Sequence, residues 1–177
     1  MDIRYKKEDF TIVSTDESFI FYDSLVRKVW IDRKKRPVVR VTGSHKHSCL
    51  FGAISLEGKQ LFRQYNKFNG ETFFEFLKTI HSKFQRCYLL MDKASPHYRS
   101  RKVKDYLEQN KDILIPLYLP TASPEFMVME EIWNIAKQDL LIMKQYSSFE
   151  DFKKKISRYF RIKRFGLDIR NYLLRDV

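Results

Sequence analysis

Short apolar runs alternate with longer amphipathic stretches along this chain. The segments Phe10–Thr15 and Cys87–Met91 are apolar and β-rich, and each is followed directly by an acidic residue. Two further strand-like runs, His47–Ser55 and Gln60–Phe68, are separated by a turn around Gly58, which is the pattern of a hairpin. The sequence therefore predicts a strand, a hairpin and another strand in its first half.

After Asn69 the apolar period changes from that of a strand to that of a helix, and it keeps this spacing as far as Phe84. The segment Ile113–Leu119 is again strand-like, but Pro116 within it favours the edge of a sheet. Three more helical segments are predicted: Arg99–Asn110, Phe126–Met143 and a last amphipathic stretch from Phe149 to Phe160. Strands and helices thus alternate, which favours an α/β fold.

Acidic residues occur where this pattern would bring them together. Right-handed crossovers place the strands before Asp16 and Asp92 side by side, and ligands bind at the carboxyl ends of such strands. A later helix adds Glu130 or its neighbour Glu131, which the helical pattern alone does not separate. Converging carboxylates repel each other unless hard divalent cations bind them. Two such ions about 3.5–4 Å apart promote phosphoryl displacement. The alternative for Asp92 is a cap of the following turn.

The composition favours one globular domain over disorder, with 177 residues of which 44% are hydrophobic. Charged residues are spread through its first ten positions, which is unlike a signal peptide. No apolar run approaches the roughly 18 residues of a membrane span. We expect a soluble, intracellular protein without a membrane partner. Cys49 and Cys87 lack metal-ligand spacing and are expected to be buried thiols.

The net charge of +12 predicts a polyanionic partner. Arg27–Lys46 contains eight Lys or Arg and one Asp, and the tail from Phe149 contains nine against four acids. Such zones favour contact with a nucleic-acid backbone, although a solvated basic face is the alternative. The DNA contacts predicted from these zones and from the segment after Asp92 are Arg33, Lys34, Lys35, Arg36, Arg40, Lys46, His97, Arg99 and Arg101.

Several short motifs occur in a characteristic order. They are Asp16-Glu17-Ser18, Val29-Trp30, Arg36-Pro37-Val38-Val39, Phe51-Gly52-Ala53, Asp92 with Ala94-Ser95 and His97, and Leu119-Pro120 through Ser123-Pro124-Glu125 to Glu130-Glu131-Ile132-Trp133. In this order, with 37 residues between Asp92 and Glu130, the chain resembles the catalytic domain of DDE transposases of the mariner-like superfamily, in the branch found in bacterial and archaeal insertion sequences.

This resemblance implies a ribonuclease H-like α/β fold, with a mixed five-stranded sheet flanked by helices. It implies Asp16, Asp92 and Glu130 as a catalytic triad that binds two Mg²⁺ or Mn²⁺ ions, cleaves DNA and transfers the strand. Residues 1–177 would form one DDE endonuclease domain, with residues 144–177 as a basic C-terminal helical segment. Transposon ends and target DNA would be the partners, and a homodimer and a cytoplasmic, nucleoid-associated location in a prokaryote are further expectations.

The sequence also departs from the family pattern. Lys93 stands where an Asn usually follows the second Asp, Met127-Val128 replaces an Asn-Pro pair, and Ala122 replaces a Tyr. Helix-turn-helix modules usually precede such domains, whereas Asp16 lies 15 residues from the first residue of this sequence. We therefore expect a companion helix-turn-helix polypeptide. The alternatives are a decayed or repurposed fragment that only binds nucleic acid, and a cellular nuclease such as a ribonuclease H or a junction resolvase.

Overall fold

Five strands form one mixed sheet in the order β3-β2-β1-β4-β5. The computed structural model describes residues 9–23, 43–119, 128–142 and 144–167. The strands are β1 (Thr11–Phe21), β2 (His47–Ser55), β3 (Gln60–Tyr65), β4 (Cys87–Met91) and β5 (Leu114–Tyr118). The helices are α1 (Gly70–Phe84), α2 (Ser95–Arg99), α3 (Arg101–Gln109), α4 (Val128–Leu141) and α5 (Phe149–Ile162).

β1 is the central strand and is longer than the sequence predicts. It is antiparallel to β2 along Val13–Phe21 and parallel to β4 along Thr11–Ser14 only. The prediction that β1 ends before Asp16 is wrong, because pairing with β2 continues the strand to Phe21 after β4 has ended. Asp16 therefore lies within a strand but beyond the last residue that pairs with β4.

The other predicted elements are mostly confirmed. The hairpin β2–β3 is present, and β5 lies at the edge of the sheet as Pro116 indicates. Asn69 caps α1, since its side chain accepts hydrogen bonds from the backbone of Glu71 and Thr72. The helix predicted from Arg99 to Asn110 is present as α3, and the short α2 before it was not predicted; the extended backbone of Ser100 separates the two.

Two hydrophobic clusters cover the two faces of the sheet. On one face α1 buries Phe73, Phe76, Leu77 and Ile80. Each such side chain stabilises the fold by about 1.5–3 kcal/mol. The opposite face packs against α4 and α5, which lies inside the predicted basic C-terminal segment. Because side chains alternate along a strand, consecutive residues of β1 point into different clusters.

The described residues bear on two expectations from the sequence, which concern the cysteines and membrane-spanning segments. Cys49 and Cys87 are buried and free, as predicted. Among the described helices, none has both the length and the apolar content needed to cross a membrane.

Gly52 allows α4 to approach the sheet closely. A Cβ atom at this position would lie 2.4 Å from Met129 Cε and 2.7 Å from the ring of Trp133. Real Cβ atoms do not tolerate such distances, so any larger residue at Gly52 must displace α4. The position of α4 depends on this one missing side chain.

Gly52→Ala is expected to destabilise the protein by about 1–3 kcal/mol, the usual cost of overpacking a core. The methionine chain can move, but the indole ring cannot move without shifting the helix. Chemical denaturation measures the loss. Gly166→Ala is the matched control, since nothing lies within 4 Å of its added Cβ. Equal stability of the two variants would contradict the close approach.

Candidate active site

Asp16 and Asp92 lie at the same level of two adjacent parallel strands. Ser14 pairs with Leu90, and the same register continued by two residues brings Asp16 beside Asp92. Burial is the main cause that raises the pKa of Asp16, and the negative charge of the nearby Asp92 adds a smaller contribution. The prediction that the two acids meet is therefore confirmed, with Asp92 at the carboxyl end of β4 and Asp16 within β1, just beyond its pairing with β4.

Asp16 is held on the α4 face of the sheet. The indole nitrogen Nε1 of Trp133 donates a hydrogen bond to Asp16 Oδ2 at 3.0 Å. Burial, followed by the charge of Glu17, raises the pKa of Asp16 from 3.8 to about 7, although the hydrogen bond from Trp133 opposes the rise. Without a bound cation, this carboxylate is thus close to half protonated at neutral pH.

Asp92 follows β4 and is fixed by the turn after the strand. Its Oδ1 accepts hydrogen bonds from the backbone nitrogen of Ala94 at 2.9 Å and from His97 Nδ1 at 2.8 Å. The hydrogen bond from His97 is the main reason that the pKa of Asp92 is lowered. The side chain is 50% exposed, so a ligand can reach it. The turn-cap alternative is therefore correct as local geometry, and it leaves Asp92 accessible.

His97 connects Asp92 to Glu17, which lies on the opposite face of the sheet from Asp16. His97 Nε2 lies 3.1 Å from Glu17 Oε2, and the imidazole packs against the ring of Phe73 with centroids 4.2 Å apart. Burial alone would lower the pKa of His97, but the hydrogen bonds to Asp92 and Glu17 raise it to about 10. The His97 imidazolium therefore holds the Asp92 carboxylate in place and keeps it ionised.

The prediction that His97 contacts DNA is wrong. Its side chain is fully buried, and both ring nitrogens are engaged by carboxylates. The structure instead gives His97 the role of orienting the neighbouring carboxylate of Asp92.

Glu130 lies on the first turn of α4 and is exposed, as is Glu131. With 3.6 residues per turn, Glu130 is roughly 60° from Trp133 around the helix, whereas Glu131 is roughly 160° away. Since Trp133 faces Asp16, this geometry favours Glu130 as the acid nearer the site. The described residues contain no group of three His, Cys, Asp or Glu side chains placed to hold a metal ion, so the triad stays a prediction.

The remaining predicted DNA contacts fall into two groups. Lys46, Arg99 and Arg101 are exposed on the surface. Five others lie outside the described residues: Arg33, Lys34, Lys35, Arg36 and Arg40. Lys93, the departure beside Asp92, is exposed and lies past the end of β4, so strand geometry does not direct it away from the site.

Three residues that support the site were not predicted as functional. Glu17 is next to the proposed ligand Asp16, and Trp133 lies one helical turn after the proposed ligand Glu130. Gly52 pairs with Asp16 on the neighbouring strand. The strand alternation of Asp16 and Glu17 was the available signal, because it sends two adjacent acids to opposite faces. No local pattern shows that a histidine 80 residues later pairs with the second of them.

The donor chemistry fits a divalent cation. Asp92 and Glu17 flank the His97 imidazolium, and Asp16 lies beside Asp92 on the other face of the sheet. The accessible donors are carboxylate oxygens, which Mg²⁺ and Mn²⁺ prefer.

The sequence matches the family model of the DDE superfamily endonucleases over residues 11–153. The chain belongs to this family. The match includes Asp16, Asp92 and Glu130. Comparison with curated proteins found no match.

Solved structures show the same DDE-type fold. The Mos1 transposase paired-end complex with the left transposon end is similar with a TM-score of 0.64 and 20% identity, over 96% of this chain and 52% of that chain. The mariner Mos1 paired-end complex with Mg gives a TM-score of 0.65 at 21% identity, over 96% of this chain and 53% of that chain. The corresponding complex with Mn gives 0.64 and 20%, over 92% and 51%. The chain spans about half the length of these transposases.

Asp16→Asn is expected to stabilise the metal-free protein at high pH but hardly at low pH. The unfolded chain loses the proton near pH 3.8 and the folded one near pH 7, so the wild type loses stability as pH rises between these values. Asparagine removes this loss and can still accept the Trp133 hydrogen bond. Melting temperatures in EDTA should differ by several °C, on the order of 5 °C, above pH 7 and much less near pH 5.

Asp112→Asn, at an exposed position, is the control for Asp16→Asn and should leave the pH profile of the melting temperature unchanged. A difference between Asp16→Asn and wild type that is the same at both pH values would show that Asp16 ionises normally.

Glu17→Gln is expected to lower the pKa of His97, because one of the two carboxylates that raise it is removed. Glutamine can still hydrogen-bond to the ring, so the fold should be retained. Nuclear magnetic resonance of the imidazole nitrogens across the pH range measures the change. Glu71→Gln, which alters an exposed carboxylate on α1, should leave the His97 titration as in wild type. An unchanged titration in Glu17→Gln would exclude the bridge.

Proposed function

We propose that this chain is the catalytic domain of a mariner-like transposase, which hydrolyses DNA phosphodiester bonds with divalent metal ions and then transfers the strand. The convergence of Asp16 and Asp92 on adjacent strands, at the point where the pairing of β1 with β4 ends, carries the proposal. Membership of the DDE family and likeness to the Mos1 transposase complexes support it.

In the proposed mechanism Asp16, Asp92 and Glu130 would hold two Mg²⁺ or Mn²⁺ ions. Bound there, the ions would supply Lewis-acid stabilisation of the attacking and leaving oxygens. Asp16 gives up its proton before it can act as a ligand, and Trp133 keeps the carboxylate oriented while this happens. His97 and Glu17 keep Asp92 ionised and fix its direction. The protein thus pre-organises its acids from both faces of the sheet.

Transposon ends and target DNA are the proposed partners. The net charge of +12 supports binding to a polyanion. An insertion sequence of a bacterium or archaeon as the source element, a companion helix-turn-helix polypeptide, a homodimer and a nucleoid-associated location belong to the same proposal.

A second candidate is a decayed transposase domain that only binds nucleic acid. Lys93 favours it, because a cation directly after Asp92 offsets part of the charge that attracts divalent ions. Because Lys93 is exposed and lies past the end of β4, strand geometry does not direct its charge away from Asp92.

Nicking of supercoiled plasmid DNA in Mg²⁺ or Mn²⁺ separates the two candidates. Wild type is expected to nick, and Asp92→Asn to reduce the rate on the order of 100-fold or more, since metal stabilisation supplies several kcal/mol of the barrier. Absence of nicking by wild type in either metal would favour the decayed domain.

The neighbouring glutamates provide a matched pair in the same assay. Glu130→Gln should lose nicking as Asp92→Asn does, whereas Glu131→Gln should retain it, because the helix directs the two side chains differently. The reverse result would show that Glu131 is the third acid.

A further inference from the structure

A groove of about 1180 Å³ runs along the edge strand β3, between α5 and the C-terminal half of α1. Of the described residues that line it, seven are Lys or Arg and one, Glu150, is acidic. Four of the cations lie on α5, Arg164 follows that helix, and Arg63 and Lys83 lie on β3 and α1. The groove is therefore positively charged on both of its walls.

Some cations on and next to α5 are neutralised by acids of the protein. Lys153 and Lys155 each form an ion pair with an acid one turn earlier on the helix, at 3.0 Å in both cases. Lys163, just after the helix, pairs with Asp139 of α4 at 3.0 Å. The helix thus has acids available to neutralise cations.

Lys154, Arg158 and Arg161 share one face of α5 at i, i+4 and i+7. All three are exposed, and no carboxylate of the described residues lies within ion-pair distance of them. Like charges at this spacing destabilise a helix by about 0.2–0.5 kcal/mol per pair. An unneutralised stripe of this kind indicates a surface that meets an external anion.

The α5 wall is fixed against the sheet. Ser157 Oγ donates a hydrogen bond to Gln64 Oε1 at 2.5 Å, and Gln64 Nε2 donates to Ser48 Oγ at 2.6 Å. Beneath them Phe160 of α5 packs against Phe62 of β3, with ring centroids 4.7 Å apart. The cations of the stripe are therefore presented by a rigid scaffold, which lowers the entropy cost of binding.

Edge strands commonly carry charged residues that prevent pairing with another sheet. This explanation fits Arg63, which lies on β3 itself. It does not account for the stripe on α5 or for Lys83 on α1, because neither helix offers a strand edge.

We propose that this groove binds the phosphate backbone of duplex DNA, as a site separate from the catalytic carboxylates. Gly52 pairs with Asp16 on one side and with Phe62 on the other, so β3 lies two strands, or roughly 10 Å, from the strand of Asp16. The proposal rests on the proposed function, since strand transfer joins one DNA segment to another and needs both held at once.

Arg158→Gln with Arg161→Gln tests the α5 wall. Both positions are exposed and glutamine forms helix well, so the melting temperature should be unchanged. Binding of a short duplex in EDTA is followed by fluorescence anisotropy over a range of salt. Each lost phosphate contact lowers the slope of log K against log salt by about 0.9, and two lost contacts weaken binding about ten-fold or more near 0.1 M salt.

Lys104→Gln with Lys111→Gln is the matched control, because it removes the same charge from exposed positions outside the groove. Arg63→Gln with Lys83→Gln tests the opposite wall and should lower the slope as the α5 pair does. A slope like that of the control in the α5 pair would overturn the proposal. A change in the α5 pair without one in the opposite wall would place the DNA on α5 alone and overturn the groove.

Binding of a polyglutamate peptide tests whether the groove takes a different class of polyanion, an acidic protein segment. If the groove variants lose affinity for this peptide but not for DNA, an acidic protein segment is the occupant and the proposal fails. Because binding is measured in EDTA, its result is independent of nicking. If the groove variants lose DNA binding and the wild type does not nick DNA, the groove is retained and the proposed function is rejected. If the groove variants bind DNA as the control does and the wild type nicks DNA, only the groove is rejected.

Discussion

The alternation of side chains along β1 sends two adjacent carboxylates, Asp16 and Glu17, to opposite faces of the sheet. Asp16 meets α4 through Trp133, and Glu17 meets His97 beside α1. Residues from both faces of the sheet therefore support the pair Asp16 and Asp92. A shift of β1 by one residue would exchange the two acids and disconnect both supports.

The site concentrates negative charge where the sheet excludes water. Burial and neighbouring carboxylates raise the pKa of Asp16 to about 7, while the His97 imidazolium lowers that of Asp92. The two acids of the pair are thus prepared differently, one ionised and one close to half protonated. If Asp16 binds the proposed divalent cation, the cation removes the cost of ionising this buried carboxylate, and metal binding then stabilises the fold.

Close packing on the α4 face connects this site to the basic groove. Gly52 allows Trp133 to reach Asp16, and the same indole contacts Phe62 and Phe160 with ring centroids 6.0 and 5.9 Å apart. Phe160 lies on the inner side of the helix whose outer side carries the cationic stripe. Aromatic packing therefore fixes the distance between the candidate metal site and the proposed second DNA site.

Local sequence patterns determined most of the elements of this fold. Alternating apolar runs, the Asn69 cap and the Pro116 edge signal depend on neighbouring residues, and the order of strands and helices was enough to bring Asp16 beside Asp92. The resemblance to DDE transposases, carried by motifs, added the sheet type and the choice of Glu130 as the candidate third acid. The length of β1 was not predictable, because its second half is a strand only through pairing with β2.

Long-range contacts decided the rest of the candidate site. His97 looked like a surface residue in a polar turn, and only the folded chain buries it between Asp92 and Glu17. The raised pKa of Asp16 likewise depends mainly on its burial, which arises only when α4 packs on the sheet. Charge, spacing and periodicity are properties of the sequence, whereas burial and the choice of partner arise only when distant segments pack together.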